Sequence, residues 1–177
     1  MKRAIACILL LNISQIVSVA QDNNFSNLTY SYVKIHLFNI EESNDKPDRY
    51  VWDDNGYASS IIGHGIRLQR NELSRLQGVV QQDLSSLILG LSKCFVPRHG
   101  LIYFNDKDEP VASISICFEC EKITLYPNSY ANIKFDSAFS ELTALSQLDS
   151  LRELMILSNL PVYKDVNLYK TLLKPWD

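Results

Sequence analysis

Between positions 93 and 120 the chain reads KCFVPRHGLIYFNDKDEPVASISICFEC, and no other stretch limits the fold as much. Runs 100–105 and 111–117 are rich in β-branched and aromatic residues, and the polar segment 105–110 between them has turn composition. The pair reads as an antiparallel hairpin. Centring it on Asp108 sets Ile102 opposite Ile114, Phe104 opposite Ala112 and Gly100 opposite Ile116. Leu101, Tyr103, Ser113 and Ser115 then share the other face. This register also sets His99 opposite Cys117, with Cys94 and Cys120 just beyond the open end. Closing such a hairpin gathers Cys94, His99, Cys117 and Cys120 at one end.

Three chemistries fit that group. Spaced C-x4-H and then C-x2-C, the four side chains suit tetrahedral zinc, which takes thiolate and imidazole and needs no open position in a structural site. A disulfide from Cys94 to Cys117 or Cys120 would instead staple the preceding helix to the hairpin, with His99 hydrogen-bonded nearby. Reduced, buried thiols are the third alternative. Zinc is thus the one cofactor that the spacing implies, with Cys94, His99, Cys117 and Cys120 as its ligands.

The N-terminus bears on that choice. MKRAIACILLLNISQIVSVAQ has a basic start, an apolar run from Ala4 to Leu11, and the small-residue pattern Ser18-Val19-Ala20 before Gln21. It reads as a signal peptide over 1–20, cleaved after Ala20. Asn12, Ser14 and Gln15 interrupt a run that would need about 20 apolar residues to span a bilayer. Cys7 has almost no apolar stretch before it and leaves with the signal, so no membrane anchor is expected after cleavage. The mature chain, periplasmic or secreted, would then carry three thiols in an oxidising compartment that favours disulfides. The odd count leaves one thiol unpaired, or three on one metal, or a pairing with another chain.

Enzymatic use of the same residues meets obstacles. A thioredoxin-like Cys-x-x-Cys sits at a helix start, whose dipole lowers the thiolate pKa. Here EKITLYP follows Cys120 and reads as a strand and then a stop. A Cys94 or Cys117 nucleophile activated by His99 would need an oxyanion-hole loop and an orienting acid, and the sequence offers neither. No residue is assigned a catalytic role. Arg98 could hold a carboxylate or phosphate through its fork, but an arginine after Pro97 reads first as a structural cap or ion-pair member.

The rest of the chain supplies a frame. With 177 residues, 46% of them hydrophobic and 21% charged, it has room for one domain over 21–177, of which 21–28 is a leader. The formal charge of -3 becomes more negative without Lys2 and Arg3, so the basic stripe that nucleic acid requires is missing. Run 29–40 alternates as a first strand; runs 49–52 and 57–62 flank an Asp53-Asp54-Asn55-Gly56 hairpin turn. Gly63-His64-Gly65 reads as a flexible connection, with His64 solvated and His36 an ordinary strand residue. From about Arg70, Leu73, Leu76, Val79 or Val80, Leu84, Leu87 and Leu91 recur at helical spacing, with a break near Asp83. Leu148, Leu151, Leu154, Met155 and Ile156 mark a C-terminal helix, with Ser146 as N-cap and Pro161 closing the run. These elements predict an α+β domain: a mainly antiparallel sheet with a central helix and a C-terminal helix.

The pattern Cys94-Phe95-Val96-Pro97-Arg98-His99, a strand, a polar turn and then Ile116-Cys117-Phe118-Glu119-Cys120 resembles a signature of small exported or lipid-anchored proteins of Bacteroidetes-type bacteria. The match covers about 94–120 and is loose elsewhere. It implies an envelope or secreted protein and brings no activity, substrate or cofactor with it. The lipobox of lipid-anchored relatives is missing here, which favours soluble export. Asn24-Phe25-Ser26 and Asn27-Leu28-Thr29 match the glycosylation acceptor pattern, which matters only in a eukaryotic host. The expectation is a non-enzymatic exported domain that binds a protein or small molecule, its hairpin held by the Cys/His cluster. The alternative is a thiol-based redox or metal-handling protein using the same cysteines.

Overall fold

Strand β1 (Tyr32–Leu37) alternates, with Val33, Ile35 and Leu37 on one face and Tyr32, Lys34 and His36 on the other. The computed structural model describes residues 28–40, 46–82, 84, 87–88, 94–127, 141–163 and 168–169. The expected signal peptide and its cleavage point, Cys7, the acceptor asparagines Asn24 and Asn27, and Leu91 lie outside the described residues. After β1 come a small ladder of β2 (Trp52–Asp53) and β3 (Gly56–Tyr57), strand β4 (Ile62–Arg67) and helix α1 (Arg70–Val80). Strands β5 (His99–Phe104), β6 (Pro110–Cys117) and β7 (Lys122–Tyr126) precede helix α2 (Glu141–Leu157). The main sheet has the order β4-β1-β5-β6-β7, and its pairings are all antiparallel. The fold is therefore α+β with a mainly antiparallel sheet, as the pattern of elements predicts.

The two faces of the sheet are covered differently. Val33, Ile35, Leu101, Tyr103, Ile114, Ile116, Ile123 and Leu125 meet Leu76, Val79 and Val80 of α1 and Leu148, Leu151, Leu154 and Met155 of α2 in one core. Removing any one of these large side chains would cost about 2–5 kcal/mol, since it combines lost transfer energy with a cavity. On the opposite face the chain just before β2 crosses the sheet. There Ser115 accepts a hydrogen bond from the Val51 amide at 2.8 Å, Ser113 donates to the Trp52 carbonyl at 2.6 Å, and Thr124 donates to the Arg49 carbonyl at 3.2 Å. Hydroxyls of a buried sheet face thus satisfy backbone groups that a crossing segment would otherwise leave unpaired.

Helix α1 starts at Gln69, whose amide donates to the Glu72 carboxylate at 2.5 Å, half of a capping box. It stops at Val80, earlier than the leucine spacing suggests. Leu84 and Leu87 still point into the core, but from irregular backbone, and the Leu87 carbonyl accepts from the Ile123 amide at 2.8 Å, so this segment pairs with β7. Helix α2 begins at Glu141, which makes Ser146 an interior residue and not the N-cap; its carbonyl accepts from Ser150 Oγ. At the far end Asn159 adopts φ 58°, and the Leu160 amide returns to the Met155 carbonyl at 2.9 Å, closing the helix before Pro161.

Gly63-His64-Gly65 is part of strand β4 and not a flexible connection. Both glycines have positive φ, and the ladder with β1 shifts register between Ile35 and Leu37, so this edge is bulged. The bulge lets Gly65 sit against the His36 ring, where an added Cβ would lie 2.4 Å from Cε1.

Candidate functional site

The hairpin forms, but its register differs by one residue from the expected one. Leu101 faces Ile114, Ile102 faces Ser113 and Tyr103 faces Ala112; His99 lies opposite Ile116 and not opposite Cys117. The cause is in the turn. Asn105 Oδ1 accepts from the amides of Lys107 and Glu109, both at 2.9 Å, and the Asn105 amide donates to the Glu109 carbonyl at 2.9 Å. Asp108 takes φ 62°, and the ladder slips so that Phe104 pairs with Pro110. Asparagine chemistry at position 105 therefore closes a tighter turn than a loop centred on Asp108. Because successive strand residues face opposite ways, this slip separates His99 from Cys117: His99 falls on the helix-covered face and Cys117 on the other.

His99 is only 1% exposed. Its Nε2 stands 2.8 Å from the Pro161 carbonyl, which can only accept, so Nε2 carries the proton. The ring meets Phe118 edge-on at 5.1 Å between centroids and Tyr169 at 6.0 Å. Burial pushes its pKa down to about 4; the Pro161 contact opposes this and the Arg98 charge adds to it. His99 is thus a neutral imidazole that ties the chain after α2 to the hairpin, and its contacts differ from those expected of a ligand grouped with the sulfurs.

The cysteines do come together. Cys120 Sγ lies 2.8 Å from Cys94 Sγ and 2.5 Å from the Cys94 carbonyl. Cys117, fully buried, donates to Glu119 Oε2 at 3.6 Å and lies within hydrogen-bonding reach of Cys120 and of the Val96 and Cys120 amides. Two local features produce this. The chain at 94–98 is pinned by Phe95 and by backbone bonds from the Phe38 amide to the Arg98 carbonyl and from the Arg98 amide to the Ile116 carbonyl. The β6–β7 turn closes through Glu121 at φ 55°, which swings Cys120 back toward Cys94. Burial raises the Cys117 pKa, with the nearby Glu119 carboxylate adding to it and the two amides opposing it. Burial, then the neighbouring thiols, raise that of Cys120 as well. These are protonated thiols at neutral pH, unlike the lowered thiolates of redox catalysts.

Arg98 acts structurally. Its Nε donates to Glu119 Oε1 at 2.8 Å, its Nη1 donates to the Asn39 carbonyl at 2.5 Å, and its guanidinium lies 6.0 Å from the Tyr169 ring. Asn39 is a residue that pattern reading passed over. At φ 53° its side chain donates to the carbonyls of Asp48 and Pro97 and accepts from the Asp48 amide and Ser60 Oγ. An asparagine at a strand end is the usual occupant of such a left-handed position, and that was the available signal.

Among the described residues, no group of three or more His, Cys, Asp or Glu is arranged to hold a metal ion, and no helix is long and apolar enough to cross a membrane. Two thiolates sharing one tetrahedral zinc stand about 3.8 Å apart, given zinc–sulfur bonds near 2.3 Å; Cys94 and Cys120 are closer. Comparison of the chain with protein-family models, with curated proteins and with solved structures found no match.

Proposed function

We propose that this is an exported, non-enzymatic interaction domain whose hairpin end is clasped by a disulfide between Cys94 and Cys120. The observation that carries the clasp is the 2.8 Å separation of the two sulfurs. A bond of about 2.05 Å is reached from there by small side-chain motions. The signal-like N-terminus supports export to a compartment where such a bond persists. Raised thiol pKa values at Cys117 and Cys120 support a structural use over a catalytic one. With the cysteines assigned to the scaffold, recognition of a protein or small molecule is left to the surface.

A second reading is favoured by one observation: the Val96 and Cys120 amides aimed at Cys117 Sγ are donors of the kind that support a metal-bound thiolate. In that reading Cys94, Cys117 and Cys120 hold zinc after a small expansion, without His99. Intact mass of the mature protein under native and denaturing conditions separates the two. The clasp predicts a metal-free mass lower by two hydrogens than the fully reduced chain. A native mass carrying one zinc, lost on denaturation with three thiols recovered, would replace it with the metal reading.

A further inference from the structure

Cys120 has two sulfur neighbours, and the clasp uses only one. Its Sγ lies 2.8 Å from that of Cys94 and is hydrogen-bonded with that of Cys117, three residues earlier at the end of β6. Three cysteines with one sulfur in common allow two mutually exclusive disulfides. We propose that Cys120 is a switch sulfur, bonded first to exposed Cys94 and then to buried Cys117, so that the clasp can be released without reduction. The proposal rests on the clasp reading, because the exchange starts from the Cys94–Cys120 bond.

The chemistry balances in two stages. The oxidant is a low-molecular-weight disulfide. The Cys94 thiolate, on the exposed residue of the three, attacks one of its sulfurs and expels a thiolate. The Cys120 thiolate then attacks Cys94 Sγ and expels the second small thiol. Two protein thiols and one small disulfide become one protein disulfide and two small thiols, and two electrons pass to the oxidant. In the second stage the Cys117 thiolate attacks Cys120 Sγ, and the Cys94–Cys120 bond breaks as the Cys117–Cys120 bond forms. Cys94 leaves as a thiolate and takes up the proton that Cys117 lost. No electrons leave the protein in this stage.

The surroundings make the second stage slow. Burial and Glu119 keep Cys117 protonated, so few molecules at neutral pH carry the attacking thiolate. The attack is therefore faster in mild alkali. Of the two amides that stabilise the Cys117 sulfur, one belongs to Val96, only two residues from Cys94. The segment that the clasp holds down thus helps to activate the thiol that releases it. Release frees Cys94 as an exposed surface thiol while the turn between β6 and β7 stays oxidised.

The test uses the full mature chain, reduced and then treated with oxidised glutathione. Samples are blocked with N-ethylmaleimide in denaturant, cleaved at glutamate and mapped without reduction; Glu119 lies between Cys117 and Cys120, so cleavage there separates the two sites. Early samples should show Cys94 linked to Cys120 and Cys117 blocked. After glutathione is removed and the protein is held in mild alkali, Cys94 blocking should rise severalfold as Cys117 becomes linked to Cys120. Cys117→Ser should abolish that rise and keep the first bond. Cys94→Ser, at an exposed position, should go directly to the Cys117–Cys120 bond. A Cys94–Cys120 bond that persists with Cys117 as the sole blocked thiol would overturn the switch and leave the clasp intact. Absence of any Cys94–Cys120 species would overturn both.

Discussion

Gly100 of β5 lies directly beneath Val51: a Cβ at position 100 would stand 2.3 Å from the Val51 Cβ and within 2.6 Å of both its methyls. The absence of a side chain at one strand position is what allows the crossing segment to approach the sheet and its backbone to reach Ser115 and Ser113. Gly100→Ala should therefore destabilise the fold by about 1–3 kcal/mol through overpacking. Its backbone conformation is open to alanine, so the loss is steric. Chemical denaturation reads it, and an unchanged midpoint would mean that the segment does not pack there.

The clasp makes stability depend on redox state. Cys94 and Cys120 are 26 positions apart, and closing a loop of that size removes about 3–4 kcal/mol of chain entropy from the unfolded state. Cys94→Ala should lose about that much in oxidised protein and little in reductant. Equal losses in both conditions would show that the cysteine contributes by packing and not by the bond.

Glu72 joins the start of α1 to the end of α2. One carboxylate oxygen accepts from the Gln69 amide at 2.5 Å and the other from Ser158 Oγ at 3.1 Å, with both Glu72 and Ser158 buried. Glu72→Ala should cost about 1–3 kcal/mol, since it removes a cap and leaves the serine hydroxyl buried without its partner. Ser158→Ala should cost about 1 kcal/mol. In a double-mutant cycle the two losses should fall short of additive; strict additivity would deny the link.

Stability should fall on acidification from pH 6.5 toward 4. His36 and His99 both have pKa values lowered to about 4, from 6.5, chiefly by burial, with Lys34 adding to the effect at His36. Between those values the unfolded chain binds protons that the folded chain refuses, so unfolding free energy rises with pH there and is complete above the unfolded value. Each histidine contributes a slope of up to about 1.4 kcal/mol per pH unit. Both ring nitrogens of His36 lack partners among the described residues, so His36→Leu breaks no hydrogen bond there. It should reduce the slope of unfolding free energy measured between pH 5 and 6.5 by up to about that amount. A slope identical to that of the parent protein would show that His36 titrates normally.

Arg98 makes two directed contacts from one planar fork, to Glu119 and to the Asn39 carbonyl. A lysine keeps the charge but not the fork. Arg98→Lys should therefore cost about 1–2 kcal/mol, the scale of one charge-assisted hydrogen bond. If thermal unfolding shows no loss, the contacts are exchanged for water without penalty.

Part of this molecule can be read from local pattern alone. Strand-like composition in 29–40, 100–105 and 111–117 and helical leucine spacing from about Arg70 and after Ser146 mark three strands and two helices, with ends that differ from the observed ones, through periodicities that act over neighbouring positions. The α+β class follows from the order of those elements. The convergence of Cys94, Cys117 and Cys120 was also legible, because it requires only that the hairpin close. Register was harder. Asn105 bonds to two amides of its own loop, and the pairings from His99 to Tyr103 differ from the expected register by one residue and that of Phe104 by two, placing His99 on the opposite face from Cys117. Gly63-His64-Gly65 is an edge strand, and Gly65 leaves the space that the His36 ring fills. The chain thus marked by itself most of the segments that extend or coil and the sulfurs that approach one another. Tertiary packing decided which face each side chain meets, since a strand presents alternate residues to opposite sides and a one-residue slip, set by contacts distant in sequence, exchanges those sides.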